Sequence, residues 1–306
     1  MVELRIKIPE GFLNEETRCD FLISHEMKKV WAVELDLLSE FDRVCKKYHI
    51  KYFASGGTML GAVRHKGFIP WDDDIDLMMM RDDYDRLCKI APLEFKHPYF
   101  FQNGYTDPGA VVYGHAKLRN SDTAAISKKN LYKTNTNSGV FIDIFPLDSV
   151  IPAEHLFTKQ GKKAKRYLNI AVKLVQYSFC FVPNTGKPIK DFFRNILYWL
   201  VNNPFKRWTD YKPYYQKFDE TCKKYNDQET ELISTLSFRF FEKQHFKYRD
   251  DYKEIIECNF EFFKIPLGAK FDHALKTRYG NYMEPIKGSQ CHSGYFFNTD
   301  KSYKEL

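Results

Sequence analysis

Two aspartates one residue apart stand inside an otherwise apolar run, Asp74-Ile75-Asp76-Leu77-Met78-Met79-Met80, and no other stretch of the chain restricts its fold as much. A run this apolar, following the turn-like Gly67 to Trp71, reads as a buried strand. Strand side chains alternate, so Asp74 and Asp76 are expected on one face, about 6.6 Å apart at ~3.3 Å rise per residue. Asp72 joins them if the strand begins early. Carboxylates side by side on a buried face repel, and drift towards protonation unless a cation lies between them. The acidic run Trp71-Asp72-Asp73-Asp74 taken alone is equally well explained as a solvated turn. Ile75-Asp76 is what argues for burial.

Upstream, Ile50-Lys51-Tyr52-Phe53 is rich in β-forming residues and is expected to run as a strand into Gly56 and Gly57, where the chain can turn tightly and approach a ligand. Thr58 is expected to cap a short helix there. A glycine turn feeding a helix presents free backbone N–H groups, a setting suited to phosphate, so Ser55, Gly56, Gly57 and Thr58 are candidate phosphate contacts. Oxygen-only ligands beside such a turn favour Mg²⁺ or Mn²⁺. The pattern points to metal-assisted phosphoryl or nucleotidyl transfer.

Further along, Val140-Phe141-Ile142-Asp143-Ile144-Phe145 encloses Asp143 in apolar neighbours, as a third buried carboxylate would be. Asp148, after Pro146, is expected to cap or orient. A strand over 110–119 would place Tyr113, His115, Lys117 and Arg119 on one face, making Lys117 and Arg119 candidate cations for phosphates. A solvated strand edge is the competing account.

The segments Gly56-Gly57-Thr58-Met59-Leu60-Gly61-Ala62-Val63-Arg64-His65 and Ile69-Pro70-Trp71-Asp72-Asp73-Asp74-Ile75-Asp76 resemble the signature of the LicD family of phosphocholine transferases. That family includes fukutin and the fukutin-related proteins and belongs to the nucleotidyltransferase superfamily. The resemblance implies transfer of a phospho-alcohol, phosphocholine above ribitol phosphate, from a CDP-linked donor such as CDP-choline to a sugar hydroxyl of a cell-surface glycan or its lipid-linked oligosaccharide precursor. It implies a metal, Mg²⁺ or Mn²⁺, on Asp74, Asp76 and Asp143, with Asp72 as a further candidate. Asp143 would bind a second metal or accept the hydroxyl proton. Phosphates would be positioned by Ser55, Gly56, Gly57, Thr58, Arg64, Lys117 and Arg119, with His65 a lesser contributor. No zinc motif is visible. Two other readings stay open: a nucleotidyltransferase moving NMP from an NTP to a small molecule, and a non-enzymatic glycan- or membrane-binding protein.

At 306 residues the chain has apolar and aromatic content enough for a proper core. The expected fold is α/β (α+β): a small mixed sheet flanked by helices, with a mainly helical C-terminal half. Residues 1–150 are read as a nucleotidyltransferase-like catalytic core and 151–306 as a helical region whose element 271–292 packs back on it. The net charge of +7 is moderate, and no basic and aromatic code for nucleic acid appears. Seven cysteines, Cys19, Cys45, Cys88, Cys180, Cys222, Cys258 and Cys291, lack any short paired spacing and read as reduced thiols. The charged N-terminus is no secretory signal and no run reaches the ~20 apolar residues of a span, so the expected location is cytoplasmic.

Asp191 is the one acid in the basic segment 159–208, and Ile189, Phe192, Phe193, Ile196, Leu197 and Leu200 within it follow helical spacing. A basic amphipathic hairpin of this kind can lie on an anionic membrane, here the inner face. Core packing with a solvated basic face is the alternative. Helices are also expected over Ser24 to Tyr48, over Asp83 to Ile90 with Asp82 as cap and Pro92 as stop, over Ala164 to Phe181 before a break at Pro183 to Pro188, and over Phe271 to Gly280. Glu34 is read as a solvated helix carboxylate, with a place behind the metal as the other reading. Residues 121–137 look like a polar loop, 211–263 show helical periods without chemistry, and His292 is a candidate lining residue.

Overall fold

The computed structural model describes residues 1–127, 136–179, 187–202, 210–237, 245–286 and 294–306. Cys180, Cys291, His292, most of the Pro183 to Pro188 break, the middle of the 121–137 loop and the end of the basic segment lie outside the described residues.

A short hairpin opens the chain, β1 (Glu16–Arg18) against β2 (Phe21–Ile23), its turn formed by Cys19 and Asp20 with φ of 51° and 55°. Two successive left-handed residues match the twist of a tight hairpin. Ser24 then caps α1 (His25–Lys47), its hydroxyl accepting from Met27 N at 3.2 Å. Trp31, Leu35, Leu38 and Cys45 form an apolar stripe on this helix that is buried throughout, and burial extends past it to Lys28, Glu34, Asp36 and Glu40. The entry segment explains part of this: Asp36 Oδ1 accepts from Arg5 N and Ile6 N, and Asp36 Oδ2 from the Tyr99 hydroxyl.

The chain continues through β3 (Phe53–Ala54), α2 (Gly56–Arg64), β4 (Asp76–Met80), α3 (Arg81–Glu94), β5 (Tyr99–Gln102), β6 (Ala116–Asn120), β7 (Ala124–Ser127) and β8 (Val140–Val150). It then forms α4 (Glu154–Phe179), α5 (Pro188–Asn202), α6 (Lys212–Cys222), β9 (Leu232–Ser234), β10 (Lys247–Tyr248), β11 (Ile255–Phe260), β12 (Phe263–Gly268), α7 (Phe271–Tyr279) and β13 (Tyr295–Asn298). The result is a mixed α/β fold, as expected. The main sheet runs β10-β9-β8-β4-β3, with β6 on β8 and β5 on β6. Every residue of β8 is buried, because it pairs parallel to β4 on one flank and antiparallel to β6 and then β9 on the other.

Three local expectations are corrected. Pro92 does not stop α3 at Ile90: the helix runs through it to Glu94 and closes at Phe95, whose N–H donates to Ala91 O. Residues 108–112 form a 3-10 turn and Gly114 takes φ 71°, so the strand expected over 110–119 begins at Ala116. After Cys222 the helical periods of 211–263 give way to β9, β10 and the hairpin β11–β12, in which β11 alternates exposed and half-buried positions up to the buried Phe260. The described C-terminal half therefore mixes helices and strands.

Leu275 and Tyr282 of the C-terminal segment belong to the same core as α1, β4 and β8, while α4 and α6 pack a second core around Phe157, Tyr215 and Phe218. Asp148 is fully buried and takes a bidentate ion pair from Arg81, both contacts 2.7 Å, and Arg81 also reaches Asp219 at 2.9 Å. Asp148 thus ties α3 and α6 to β8. No helix among the described residues is long and apolar enough to cross a membrane.

Candidate metal and phosphate site

The parallel pairing of β4 with β8 places Asp76 opposite Asp143. Asp74 lies in the approach to β4 rather than within it, so the turn ahead of the strand, not side-chain alternation, carries it to the same place. One carboxylate oxygen from each of Asp74, Asp76 and Asp143 lies within 4.8 Å of the others, and Asp72, Asp73 and Asp74 form a second, overlapping group of the same span. The turn is held from two sides. Trp31, stacked on Phe68 at 4.5 Å, donates its indole N–H to Asp72 O at 3.1 Å, and Glu261 at the tip of the β11–β12 hairpin accepts from Phe68 N at 3.1 Å.

Glu34 stands three residues beyond Trp31 on α1 and faces this cluster. It is 1 % exposed, and its Oε2 has no hydrogen-bond partner among the described residues. Burial, and then Asp74, Asp73, Asp72 and Asp143, push its carboxyl well above the usual range. The expectation of a solvated helix carboxylate therefore fails. Spacing from Trp31 on the apolar stripe was the available signal.

The electrostatics divide the acids. Burial raises the Asp76 carboxyl, and Asp74, Asp143 and Asp72 raise it further. Asp72 is pushed up to about 8 by burial, then by Asp74 and Asp73. Asp143 goes the other way: burial acts against it, but the Lys117 ammonium and the His115 imidazole outweigh that and hold it well below the carboxylate range. Lys117 Nζ lies 2.6 Å and His115 Nε2 2.7 Å from Asp143 Oδ1. Lys117 is opposite Asp143 across the β6–β8 pair, and its ammonium sits 3.5 Å from the Phe141 ring centroid.

Crowded carboxylates, all-oxygen donors and an orphaned buried Glu34 oxygen fit a hard divalent cation such as Mg²⁺ or Mn²⁺. Asp74, Asp76 and Asp143 are the residues that would hold it, with Asp72 adjoining.

The glycine turn backs directly onto these acids. Gly56 has φ 51°, and a Cβ there would stand 3.1 Å from Asp76 Oδ2; a Cβ at Gly57 would collide with Asp72 Oδ2. Ser55 takes the cap position of α2 without a side-chain capping bond, and its N–H donates to Asp76 O at 2.9 Å. Thr58 is not the cap. It lies inside the first turn, and its Oγ1 accepts from Asp76 N at 2.8 Å. Strand β4 and helix α2 are thereby pinned to each other at the residue that matters most.

The remaining candidates are held elsewhere. Arg64 stands eight residues along α2 from Gly56, ~12 Å at 1.5 Å per residue, and donates to Tyr282 O at 2.8 Å and Glu284 O at 3.3 Å. Arg64 Nε also donates to His65 Nε2 at 2.9 Å, and burial, then Arg64, push the His65 imidazole down to about 4. Arg119 shares the face of Lys117 but is taken by Gln102 Oε1 and by Gly139 O. The acids, Lys117, His115 and the 55–58 turn converge; Arg64, His65 and Arg119 do not.

The family described as LicD/FKTN/FKRP, nucleotidyltransferase domain, matches residues 49–177. The chain is 37% identical over 141 residues to the lipopolysaccharide cholinephosphotransferase LicD of Haemophilus influenzae, covering 46% of this chain and 51% of that protein. It is 33% identical over 121 residues to an uncharacterized protein of Rickettsia prowazekii, 40% of each chain. The chain spans about half, or less, of the length of the curated relatives it matches. All the clustered acids except Glu34 fall inside the matched segment. The likeness to the LicD family is carried by residues 49–177, the segment that the family's nucleotidyltransferase domain matches.

Proposed function

We propose that the protein transfers a phospho-alcohol, phosphocholine first among them, from a CDP-linked donor to a sugar hydroxyl of a glycan. The observation that carries this reading is the convergence of Asp74, Asp76 and Asp143 beside the Gly56-Gly57 turn, within a domain whose relative in Haemophilus influenzae is named a lipopolysaccharide cholinephosphotransferase. The acceptor oxygen bonds to the phosphorus of the transferred group, the bond from that phosphorus to the bridging oxygen breaks, CMP leaves, and the hydroxyl proton passes to solvent.

A divalent cation on the cluster, when bound, supplies positive charge to the donor's diphosphate and to the departing CMP. The chain's own residues prepare for this. Lys117 and His115 keep Asp143 ionised, which suits it to hold a cation rather than to act as a strong base. Thr58 and Ser55 fix the backbone of Asp76 from both sides. Gly56 and Gly57 let a phosphate approach the acids without a Cβ in the way.

The test is phosphorus NMR of the protein with Mg²⁺ and a panel of CDP-choline, CDP-ribitol, CDP-glycerol, CTP and ATP, with and without glycan acceptors. Metal-dependent CMP release from one CDP-alcohol, lost in Asp76→Asn, supports the transferase and identifies its donor. Pyrophosphate release from CTP or ATP would instead favour nucleotidyl transfer.

The same reading includes an anionic membrane surface as a partner. Helix α5 supports it by leaving Ile189, Phe192, Phe193, Ile196 and Trp199 exposed, between 40% and 74%, next to lysines at 187 and 190.

A further inference from the structure

Beside the Gly56 turn is a cleft that the acidic motif does not account for. Gly56 and Met59 of α2 form one wall, residues 245–248 leading into and through β10 a second, and Ala274, Thr277 and Arg278 of α7 a third. Gly56 belongs to both places: it lines the cleft, and a Cβ on it would stand 3.1 Å from Asp76 Oδ2.

The cleft is cationic. Lys247 and Arg278 both line it, and among the described residues neither has an ion pair with a carboxylate. Lys247 Nζ is 3.5 Å from His245 O, and Arg278 Nη1 is 3.4 Å from His245 Nδ1. The acid in the lining, Asp251, is already committed to His273 Nδ1, at 2.9 Å from each carboxylate oxygen. Burial, followed by repulsion from Arg278, pushes the Lys247 ammonium down to about 8, against the opposing pull of Asp76. Lys247 is half-buried with the His245 carbonyl as its hydrogen-bond partner and the Asp76 charge nearby, while Arg278 is exposed, and neither is held by a carboxylate in ion-pair contact among the described residues.

We propose that this cleft seats a phosphate of a diphosphate-bearing substrate, held by Lys247 and Arg278 beside the Gly56 turn. The inference rests on the phosphotransfer reading above for the substrate's class. A diphosphate laid along the Gly56 turn would meet both the carboxylate cluster and these two cations. Lys247 meets it as a point charge and Arg278 as a planar fork. The departing nucleotide's phosphate gains negative charge as its bond breaks, so cations placed there favour its departure.

The experiment is calorimetric titration of the full chain, in Mn²⁺, with inorganic pyrophosphate and with CDP, comparing the parent with Arg278→Gln, Lys247→Met and Lys247→Arg. Mn²⁺ binding is measured separately by electron paramagnetic resonance. Arg278 is exposed on α7, so its replacement leaves the fold intact. The proposal expects pyrophosphate and CDP to bind about tenfold more weakly to Arg278→Gln and Lys247→Met, Lys247→Arg to retain most of the affinity, and Mn²⁺ binding to stay unchanged. Equal pyrophosphate affinity in the parent and Arg278→Gln would overturn it. The two readings fail separately: weaker pyrophosphate binding in Arg278→Gln and Lys247→Met than in a parent that turns over no CDP-alcohol upholds the cleft and sinks the transferase. Full turnover with unaltered KM for the donor in both loss variants upholds the transferase and sinks the cleft.

Discussion

Asp76 and Asp143 face each other across adjacent parallel strands, and Lys117, opposite Asp143 on its other flank, neutralises one of the two and not both. The imbalance leaves Asp76 crowded by Asp74, Asp143 and Asp72. Asp76→Asn removes one charge from that crowd. In metal-free buffer it is expected to melt higher than the parent, by about 2 °C for each kcal/mol of repulsion relieved in a chain this size, while losing the stabilisation that Mg²⁺ confers on the parent. Thermal melts with and without Mg²⁺ check both halves. A lower melting point in the absence of metal would show that the cluster is not strained by its own charge.

The same crowding sets a pH dependence. The Asp72 carboxyl titrates near 8 in the fold and near ~3.9 in the unfolded chain. Across that window the native state holds more protons, so the metal-free protein loses stability as pH rises from about 4 to about 8. Urea unfolding at pH 5.5 and pH 8 measures this directly. Mg²⁺ is expected to stabilise more at pH 8, where the acids are charged, than at pH 5.5.

Thr58 contributes through its hydroxyl, which accepts from Asp76 N inside the protein. Thr58→Val leaves that N–H without its partner and is expected to cost about 1–3 kcal/mol; Thr58→Ser keeps the oxygen and should cost less. Denaturant midpoints decide between them. Equal losses would assign the effect to packing of the methyl group.

For α5, cosedimentation with vesicles containing anionic lipid is the check. The parent is expected to bind at low salt and to release at high salt. Phe192→Ser combined with Phe193→Ser removes two exposed aromatics and should weaken binding without lowering thermal stability. Failure of the parent to bind anionic vesicles at low salt would remove the membrane from the account.

Much of the site was legible because its chemistry is written in short range. Asp76 and Asp143 betray themselves as charges inside apolar runs, and Gly56-Gly57 stand where a Cβ has no room. The long apolar stripe and Ser24 cap likewise made α1 readable to within a residue of each end. What escaped depends on contacts distant in sequence. Glu34 looks like any helix carboxylate until the 72–74 turn, held by Trp31 and by Glu261, closes over it. Lys117 and Arg119 are equivalent by alternation, and only the partners Asp143 and Gln102 tell them apart. Arg64 reads as a phosphate ligand beside its motif, yet the length of α2 carries it to the C-terminal segment. Beyond Cys222 the strands are two to six residues long, too short for a period of two to stand out from helical noise.

The account stands on a divalent cation held by Asp74, Asp76 and Asp143, and Mn²⁺ titration followed by electron paramagnetic resonance tests that most directly. The parent is expected to bind Mn²⁺ saturably, Mg²⁺ to compete for the same site, and Asp76→Asn and Asp143→Asn each to weaken binding by about tenfold or more. Binding that is absent in the parent, or that persists unchanged in both variants, would contradict it.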